Sequence, residues 1–363
     1  MPRLILAAAP APALLAETWQ ALEARSDGSF FQGWSWTGCT YAARFPDPVL
    51  LRAEESGRVL ALGLFNRRPR RLARSCLHLG ESGDAARDAV FIEHNGFLID
   101  RAAPAGLAAA CLRAALTLAL PNGGTRRLVL SGIGDDLFAA ARSFAPRVTA
   151  TRPAPFVDLA ALRARGGPYL DRLSANTRYQ LRRSARAYAA RGPLAVQRAA
   201  SLAEALDFLD RLARLHQRTW QARGKPGAFA NPAFREFHAA LIARGLPRGE
   251  VDLLRIAAGG DAIGYLYNFR YRDRIAAYQS GFDYEAAGAH AKPGLTCHHL
   301  AIEHYAATGA VAYDFLAGGD RYKASLADAA ATLHWIEMSP TATLPGLLDR
   351  ARSLAHACRA RFT

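Results

Sequence analysis

Two stretches of the chain alternate apolar and polar residues with the period of two that is typical of half-buried strands. The first covers residues 50–67 and is interrupted by a turn residue, Gly57. The second covers residues 253–270 and is interrupted in the same way at Gly260. Each stretch therefore predicts a β-hairpin.

The similarity between the two regions continues beyond the hairpins. In chain order, the matching segments are a strand at 91–100 and 275–282, a helix at 106–120 and 294–307, a strand at 127–130 and 310–313, and a Gly/Asp loop at 132–135 and 318–320. Each helix is expected to cross over between neighbouring strands. Chance matches are common in a biased composition, but four matches in one order favour an internal duplication.

Segments with helical periodicity lie between the two copies and after the second one. Helices are predicted over 177–190 with Asn176 as the N-cap, and over 202–223, 232–244 and 344–361. The pattern predicts an α/β protein with two tandem copies of one unit, in which mixed sheets are flanked by helices. The predicted segments are an N-terminal domain at 1–153, a basic helical connector at 154–192 and a C-terminal domain at 193–363.

Charge adds a second feature. The 363 residues contain 46 Lys and Arg against 31 Asp and Glu, a formal net charge of +15. In the connector, Arg178, Arg182 and Arg186 form an i, i+4 stripe that repels itself unless an anion neutralises it. The stripe is either a docking surface for an acidic partner or a solvated face paired with acids from elsewhere. No signature of a DNA-binding or sequence-specific RNA-binding fold accompanies it.

The five cysteines form no CxxC pair, which argues against a cysteine zinc site and favours a reducing compartment. No segment reaches the length of a membrane span. The first residues could pass for a short signal peptide, but prolines interrupt the apolar run, and a strand at 4–8 followed by a helix is the alternative. We expect a cytoplasmic protein.

Several segments resemble the CelD-like GNAT acetyltransferases, which are relatives of the FemAB-type peptidoglycan aminoacyltransferases. The segments that carry the resemblance are Phe30-Phe31-Gln32-Gly33-Trp34, the Arg-rich helix from Leu173 to Gly192, Leu215-His216 with Arg218-Thr219-Trp220, Pro293-Gly294, Tyr313-Asp314-Phe315-Leu316, Gly318-Gly319-Asp320 and Tyr322-Lys323. The resemblance covers most of the chain and is more specific for fold than for substrate.

The resemblance implies an acyl-CoA donor, either acetyl-CoA or a longer acyl thioester. In GNAT folds a central strand offers backbone N–H groups to the thioester, and the following helix presents its N-terminus to the pyrophosphate. Carried over to this sequence, the donor-binding residues are Tyr278, Gln279, Ser280, Gly288, Lys292 and Gly294. The usual GNAT glycine pattern before that helix is absent in clear form. Acyl carrier protein or aminoacyl-tRNA therefore stays open as the donor.

The candidate catalytic residues follow the last strand of the second copy. They are Asp314, Asp320, Tyr322 and Lys323. Open α/β sheets place ligands at the carboxyl ends of their strands, where an Asp could accept a proton from an amine or orient a Tyr that does. Asp314 could instead be an N-cap or the buried partner of an Arg. The N-terminal copy has Leu137-Phe138 after its Gly/Asp loop, so we expect one active site, in the C-terminal half.

Three further residues are candidates for binding the acceptor: His216, Trp220 and Arg178. His216 and Trp220 lie one helical turn apart, so core packing is an equal alternative. The cluster of His298, His299, Glu303 and His304 invites a metal site. No second ligand cluster with zinc spacing exists, and we expect no metal.

The sequence thus favours an N-acyltransferase that moves an acyl group from CoA or another carrier thioester to an amine of a small molecule, peptide or envelope precursor. The first alternative is an aminoacyl-tRNA-dependent transferase acting on a peptidoglycan precursor. The second is a GNAT-like binding module without catalysis.

Overall fold

The computed structural model describes residues 2–70, 74–120 and 123–340. The helix expected over 344–361 lies outside the described residues. The described strands are β1 (Arg3–Ala8), β2 (Pro48–Glu55), β3 (Arg58–Arg70), β4 (Arg74–Leu79), β5 (Leu98–Ile99), β6 (Ala119–Leu120), β7 (Gly123–Ile133), β8 (Arg147–Asp158), β9 (Leu194–Arg198), β10 (Val251–Ala258), β11 (Asp261–Tyr271), β12 (Arg274–Phe282), β13 (Ala312–Asp314) and β14 (Ala329–Met338).

The helices lie between these strands. They are α1 (Pro12–Glu23), α2 (Trp34–Arg44), α3 (Leu107–Thr117), α4 (Asp135–Ala141), α5 (Leu159–Arg165), α6 (Ala175–Ala189), α7 (Leu202–Gln221), α8 (Pro232–Gly245), α9 (Pro293–Ala307) and α10 (Arg321–Leu326). In the described part of the chain, no helix combines the length and the apolar character that a membrane span requires.

The chain forms two compact units, one of Met1–Arg152 with the segment that begins at Thr332, the other of Pro153–Ala331. In the first unit the strand order is β1-β2-β3-β4-β7-β14, and in the second it is β8-β13-β12-β11-β10-β9. β8 ends the first repeat but pairs with β13 in the second unit, while β14 ends the second repeat and pairs with β7 in the first. The last strand of each repeat thus completes the sheet of the other unit.

The internal duplication is visible in the pairing. The hairpins β2–β3 and β10–β11 are antiparallel, and their registers shift at matching places, between Ala53 and Glu54 and between Ile256 and Ala257. The strand after each hairpin pairs in parallel with the strand that follows the crossover helix, β4 with β7 through α3 and β12 with β13 through α9. The predicted α/β class with two tandem copies and mixed sheets is therefore confirmed.

One predicted strand is wrong. Of residues 91–100, Leu98–Ile99 form the short β5 and the rest is irregular. The first-unit counterpart of β12 is instead β4, Arg74–Leu79. A strand that is buried on both faces normally reads as a continuous apolar run. In β4 an arginine and a histidine interrupt that run, so the hydrophobic pattern did not predict a strand there.

Helix α7 matters most for the site because it carries His216 against the second sheet. Its N-cap is Ser201, whose side chain accepts a hydrogen bond from the Glu204 amide at 3.2 Å. Its buried face includes Phe208 and Leu212. A Cβ placed on Gly281 of β12 would lie 2.3 Å from the carbonyl oxygen of Leu212, so the helix backbone rests directly on the strand.

Helix α9 packs on the same sheet through Cys297, Ala301 and Ile302, which join Leu266 and Ile275 in one core. Helix α6 lies beside α9. Its N-cap is Ser174 rather than the predicted Asn176, since the Ser174 side chain accepts the Thr177 amide. The cysteines at 39, 76, 111 and 297 are buried.

Candidate active site

The sheet of the second unit opens beside β12. Its parallel pairing with β13 covers only Arg274–Ala276, although β12 continues to Phe282. On its other side β12 has a bulge, because Tyr267 pairs with Gln279 while Asn268 pairs with Ala277, which leaves Tyr278 as the extra residue. A bulge bends a strand and increases its local twist. The carboxyl-terminal half of β12 therefore has no strand beside it on the β13 side within the described residues.

The N-terminus of α9 faces this opening. The Lys292 amide is held by the Ser184 hydroxyl at 2.8 Å, and that hydroxyl also bonds to the buried Thr296 hydroxyl at 2.7 Å. Pro293 at the first helical position has no N–H. The amides of Gly294 and Leu295 have no hydrogen-bond partner in the described part of the chain. Two N–H groups and the positive end of the helix dipole are thus available to an anion.

A polar cavity of about 550 Å³ lies at this end of α9. Its walls come from the start of α6, the first turn of α9 and helix α10. The lining residues are Arg172, Leu173, Ser174, Asn176, Thr177, Gln180, Leu295, Arg321, Tyr322, Ala324, Ser325 and Ala327. Its size and polarity suit a ligand that carries phosphates.

Tyr322 stacks on a buried histidine. The rings of Tyr322 and His298 lie 5.4 Å apart at an angle of 17°. His298 shares a hydrogen bond of 2.9 Å with the Tyr313 hydroxyl through Nδ1. Its Nε2 is buried and has no hydrogen-bond partner in the part of the chain that the structure describes. Burial raises the pKa of Tyr322. Burial, helped by the charge of Lys323, lowers the pKa of His298 to about 3, so the imidazole is neutral.

Asp314 and Lys323 hold the loop between β13 and α10. Asp314 accepts a hydrogen bond of 2.7 Å from the amide of Leu316, whose φ of 61° is unusual for a branched residue. Lys323 is buried, and its Nζ donates to the carbonyls of Leu316 at 3.3 Å and Ala317 at 2.8 Å. These contacts fix the segment that leads to Tyr322. Asp320 is exposed at the start of α10.

His216 of α7 contacts strand β12. Its Nδ1 lies 3.1 Å from the Ser280 carbonyl oxygen, which can only accept, so Nδ1 carries the proton and Nε2 the lone pair. Nε2 is buried and has no hydrogen-bond partner among the described residues. Burial lowers the pKa of His216 and keeps the ring neutral. The Trp220 ring lies 5.8 Å from it. A neutral imidazole with an unprotonated Nε2 has the lone pair that a general base needs.

The remaining predicted residues lie farther from these groups or are already engaged. The Tyr278 ring is buried in an aromatic cluster with Phe269. Gly288 and Lys292 are exposed in the loop before α9. Arg178 is half-buried and donates from Nη1 to the carbonyls of Asp171 at 3.2 Å and Leu173 at 3.1 Å, which ties it to the turn before α6.

Sequence reasoning did not predict that His298 stacks on Tyr322. The cluster at 298–304 suggested a metal site, but His299 Nε2 lies 3.3 Å from Glu303 Oε1 across one turn, and His298 points into the core. The available signal was spacing: His298 is four residues after Gly294, so it lies one turn behind the helix end that faces the opening. Among the described residues, no cluster of three His, Cys, Asp or Glu side chains could hold a metal ion.

Comparison with known proteins gives one family match and several structures of similar fold. Residues 175–324 match the model of a family described as an acetyltransferase (GNAT) domain. The fold is GNAT-like. Among solved structures, FemX is 10% identical, with a TM-score of 0.60 over 96% of this chain and 100% of that chain. No curated protein matches.

Two further structures have the same GNAT-like fold. One is the C-terminal DUF2156 domain of a lysylphosphatidylglycerol synthetase from Agrobacterium fabrum, with 12% identity and a TM-score of 0.52 over 94% of this chain and 96% of that chain. The other is L-PGS from Bacillus licheniformis, with 13% identity and a TM-score of 0.51 over 93% and 95%. At these identities the likeness concerns the fold alone.

Proposed function

We propose that this protein is an N-acyltransferase of the CelD-like type, which transfers an acyl group from CoA or another carrier thioester to an amine. The observation that carries the proposal is the opening beside β12, with the available amides of Gly294 and Leu295 at one end. An extended thioester fits along an unpaired strand edge, and its phosphates fit the helix N-terminus. The acceptor would be a small molecule, a peptide or an envelope precursor.

The first unit supports a single site in the C-terminal half. There the parallel pairing of β4 with β7 runs from Ser75 to Leu79, almost the whole of β4. Where the strands end, the Asn95 side chain donates to the carbonyls of Leu79 at 2.9 Å and Ser131 at 3.1 Å. In the first unit the segment at Asn95 thus lies between the ends of β4 and β7, at the place that corresponds to the opening beside β12 in the second unit.

The proposed reaction assigns a role to each polar group. The amine nitrogen attacks the thioester carbonyl carbon, and His216 Nε2 accepts the proton that the nitrogen loses. As the carbon–sulfur bond breaks, the Tyr322 hydroxyl donates its proton to the leaving sulfur, which yields an amide and a free thiol. Backbone amides near Gln279 and Ser280 hold the carbonyl oxygen. Asp314 and Lys323 position the loop that leads to Tyr322, and Asp320 is the N-cap residue of the helix that carries it.

Calorimetric titration with acetyl-CoA tests the donor site, with two matched variants. Gly294→Asp places a negative charge at the start of α9, where it suits the helix dipole but repels phosphates, while Gly294→Asn has nearly the same shape without the charge. We expect micromolar binding to the wild type and the Asn variant, and binding weaker by at least tenfold in the Asp variant and in Lys292→Ala. No binding of acetyl-CoA or of longer acyl-CoAs to the wild type would discard CoA as the donor.

The alternative donor is aminoacyl-tRNA, and the surface of α6 favours it as the second candidate. Arg182 and Arg186 are exposed, and the Asp171 carboxylate lies 3.9 Å from the Arg182 guanidinium, at the outer limit of an ion pair. Such poorly neutralised cations suit a polyanionic carrier. Activity in a lysate that disappears on RNase treatment and falls steeply with salt would favour this donor. Activity with purified acyl-CoA alone would exclude the need for it.

A further inference from the structure

Helix α6 has a basic face on the side away from its core contacts. Arg186 lies three residues after Arg183 and four after Arg182, so its side chain is next to both on the helix surface. Arg182 and Arg186 are exposed, and Arg183 is half-buried. The buried residues of the helix, Leu181 and Tyr188 among them, lie on another side. These three arginines are called the α6 patch below.

The charges of the α6 patch are poorly neutralised. Arg182 has only the distant Asp171 carboxylate, at 3.9 Å, beside it in the described part of the chain. Arg186 donates from Nε to the Arg182 carbonyl at 3.3 Å, and no carboxylate of the described residues lies within 4 Å of its guanidinium. Arg183 donates to His290 Nε2 at 2.8 Å. Because like charges three or four residues apart on a helix repel each other, an anionic partner would stabilise the patch.

The α6 patch adjoins the polar cavity at the start of α9. Asn176, Thr177 and Gln180 of the same helix line that cavity. Gln180 is three residues before Arg183, so the wall of the cavity continues directly into the patch. The exposed Lys292, just before α9, adds a further positive charge on this side. A partner held on the patch would therefore lie beside the cavity and beside the available amides at the start of α9.

We propose that the α6 patch docks an acidic helix of an acyl carrier protein, which delivers the acyl thioester to the opening beside β12. The inference rests on the proposed function and specifies its donor. A carrier protein holds its thioester at the end of an arm that is attached through a phosphate. That phosphate suits the amides of Gly294 and Leu295. The arm then runs along β12 towards Ser280, while the body of the carrier stays outside on α6.

Between a carrier protein and an RNA, the extent of the positive surface favours the protein. Asp171 precedes α6, and Asp261 pairs with Arg191 after it, at 3.2 Å. These carboxylates would repel a phosphate backbone, and contacts to about 6–10 phosphates need a longer basic surface than one or two helical turns. Arg182 and Arg186 instead lie one turn apart, about 6 Å along the axis, which is the spacing of acids at i and i+4 on a partner helix.

The experiment titrates the purified protein with a bacterial holo acyl carrier protein, which bears the arm without an acyl group, and in parallel with acetyl-CoA. We expect Arg182→Glu and Arg186→Glu each to weaken carrier binding at least tenfold and to leave acetyl-CoA binding within twofold. Charge reversal repels the acidic carrier, whereas neither side chain lines the cavity that would hold the phosphates. Calorimetry measures both affinities, and thermal unfolding shows that each variant is folded.

Arg244→Glu is the matched control, because Arg244 is exposed on α8 and its substitution changes the net charge by the same amount. It should keep both affinities. Arg182→Lys retains the positive charge and should keep most of the carrier binding. The apo form of the carrier lacks the arm and should bind the wild type at least threefold more weakly than the holo form. Equal binding of the two forms would contradict the placement of the arm.

Failure of the holo carrier to bind the wild type, while acetyl-CoA binds, would overturn the inference and leave the proposed function intact. Carrier binding that both patch variants retain would also overturn it, since the docking surface would lie elsewhere. If total bacterial tRNA binds more tightly than the carrier and both charge reversals release it, the patch belongs to RNA and the inference is wrong. Failure of acetyl-CoA and the carrier alike would overturn the inference together with the thioester-dependent function.

Discussion

Tyr322 is the residue whose chemistry depends most on its surroundings. Because burial raises the pKa of its phenol, the group keeps its proton throughout the neutral range and is suited to donate it rather than to accept one. We expect Tyr322→Phe to lower kcat by about 10²- to 10⁴-fold, the usual contribution of a general acid, with little change in donor affinity. Steady-state kinetics with a purified acyl donor measures both.

The matched control for this substitution is Tyr179→Phe, which removes the hydroxyl of an exposed tyrosine on α6. A Tyr322→Phe variant with unchanged kcat would remove Tyr322 from the mechanism and leave it as a wall of the cavity. A variant with unchanged kcat but weaker donor binding would assign it to binding alone.

His298 makes the stability of the protein depend on pH. Its pKa is about 3 in the folded state against an ordinary value near 6.5, so the unfolded chain binds the extra proton first. The free energy of unfolding should therefore fall as the pH drops from about 6.5 towards 3, by up to about 1.4 kcal/mol per pH unit from this residue. The wild type and His298→Gln, compared by urea denaturation at several pH values, isolate that contribution.

Glutamine retains a hydrogen bond to the Tyr313 hydroxyl without titrating. The difference in unfolding free energy between wild type and variant should shrink or reverse as the pH falls. A difference that stays constant from pH 7 to pH 4 would show that His298 is not buried as a neutral ring.

For single residues, the sequence indicated which side chains were candidates better than it indicated what those side chains contact. Tyr322 could be singled out as a catalytic candidate because it follows the carboxyl end of a strand, and His216 only as a residue that either binds the acceptor or packs in the core. That Lys323 and Asp314 are committed to backbone groups of Leu316 and Ala317 was not predictable, since it depends on the left-handed turn of a non-glycine residue. The unpartnered Nε2 atoms of His216 and His298 likewise follow from packing against other elements.

The contact between α7 and β12 is the element-scale feature that positions the site. Gly281 is required there because a Cβ would lie 2.3 Å from the Leu212 carbonyl oxygen and 3.0 Å from its Cα. We expect Gly281→Ala to destabilise the protein by about 1–3 kcal/mol, the usual cost of overpacking, and to move His216 off the Ser280 carbonyl. Urea denaturation measures the first effect and kcat the second.

Gly260→Ala is the control, because a Cβ at that turn position meets nothing within 4 Å. Gly260→Ala lowers the conformational entropy of the unfolded chain as Gly281→Ala does, but its Cβ contacts no other atom in the folded state. Equal stability of the two variants would mean that α7 can move away from β12 freely, and the rigid placement of His216 would then be untenable.

At this scale the sequence predicted the local elements and their order. The hairpins, crossover helices and α6–α8 follow from periodicity, which records local burial. Two things do not follow from it. The arginine and histidine of β4 conceal a strand, and the pairing of β8 with β13 and of β14 with β7 depends on contacts that are distant in sequence. No residue pattern within a repeat encodes which sheet its last strand joins.

For the whole molecule, duplication raises the question of how many donor sites one chain has. The two repeats share pairing and a matching bulge in their hairpins, yet they differ where the donor would lie. In the first unit a cavity that Leu79, Gly80, Asn95 and Gly96 line together with aromatic residues such as Trp19 and Trp36 has a volume of about 20 Å³, enough for one water molecule. At the start of α9 the cavity is about 550 Å³. A duplicated fold with one filled and one open cleft should bind one donor per chain.

Titration of the purified protein with the tightest-binding acyl-CoA should therefore give a stoichiometry of one. Gly294→Asp, which acts only at the start of α9, should weaken all of the binding rather than half of it. A stoichiometry of two, or a residual full-affinity site in the Asp variant, would show that Asn95 and its loop leave the first cleft when a donor is present. Both repeats would then have kept a donor site. The hydrogen bonds from Asn95 to the Leu79 and Ser131 carbonyls would stabilise the closed state of the site in the first unit.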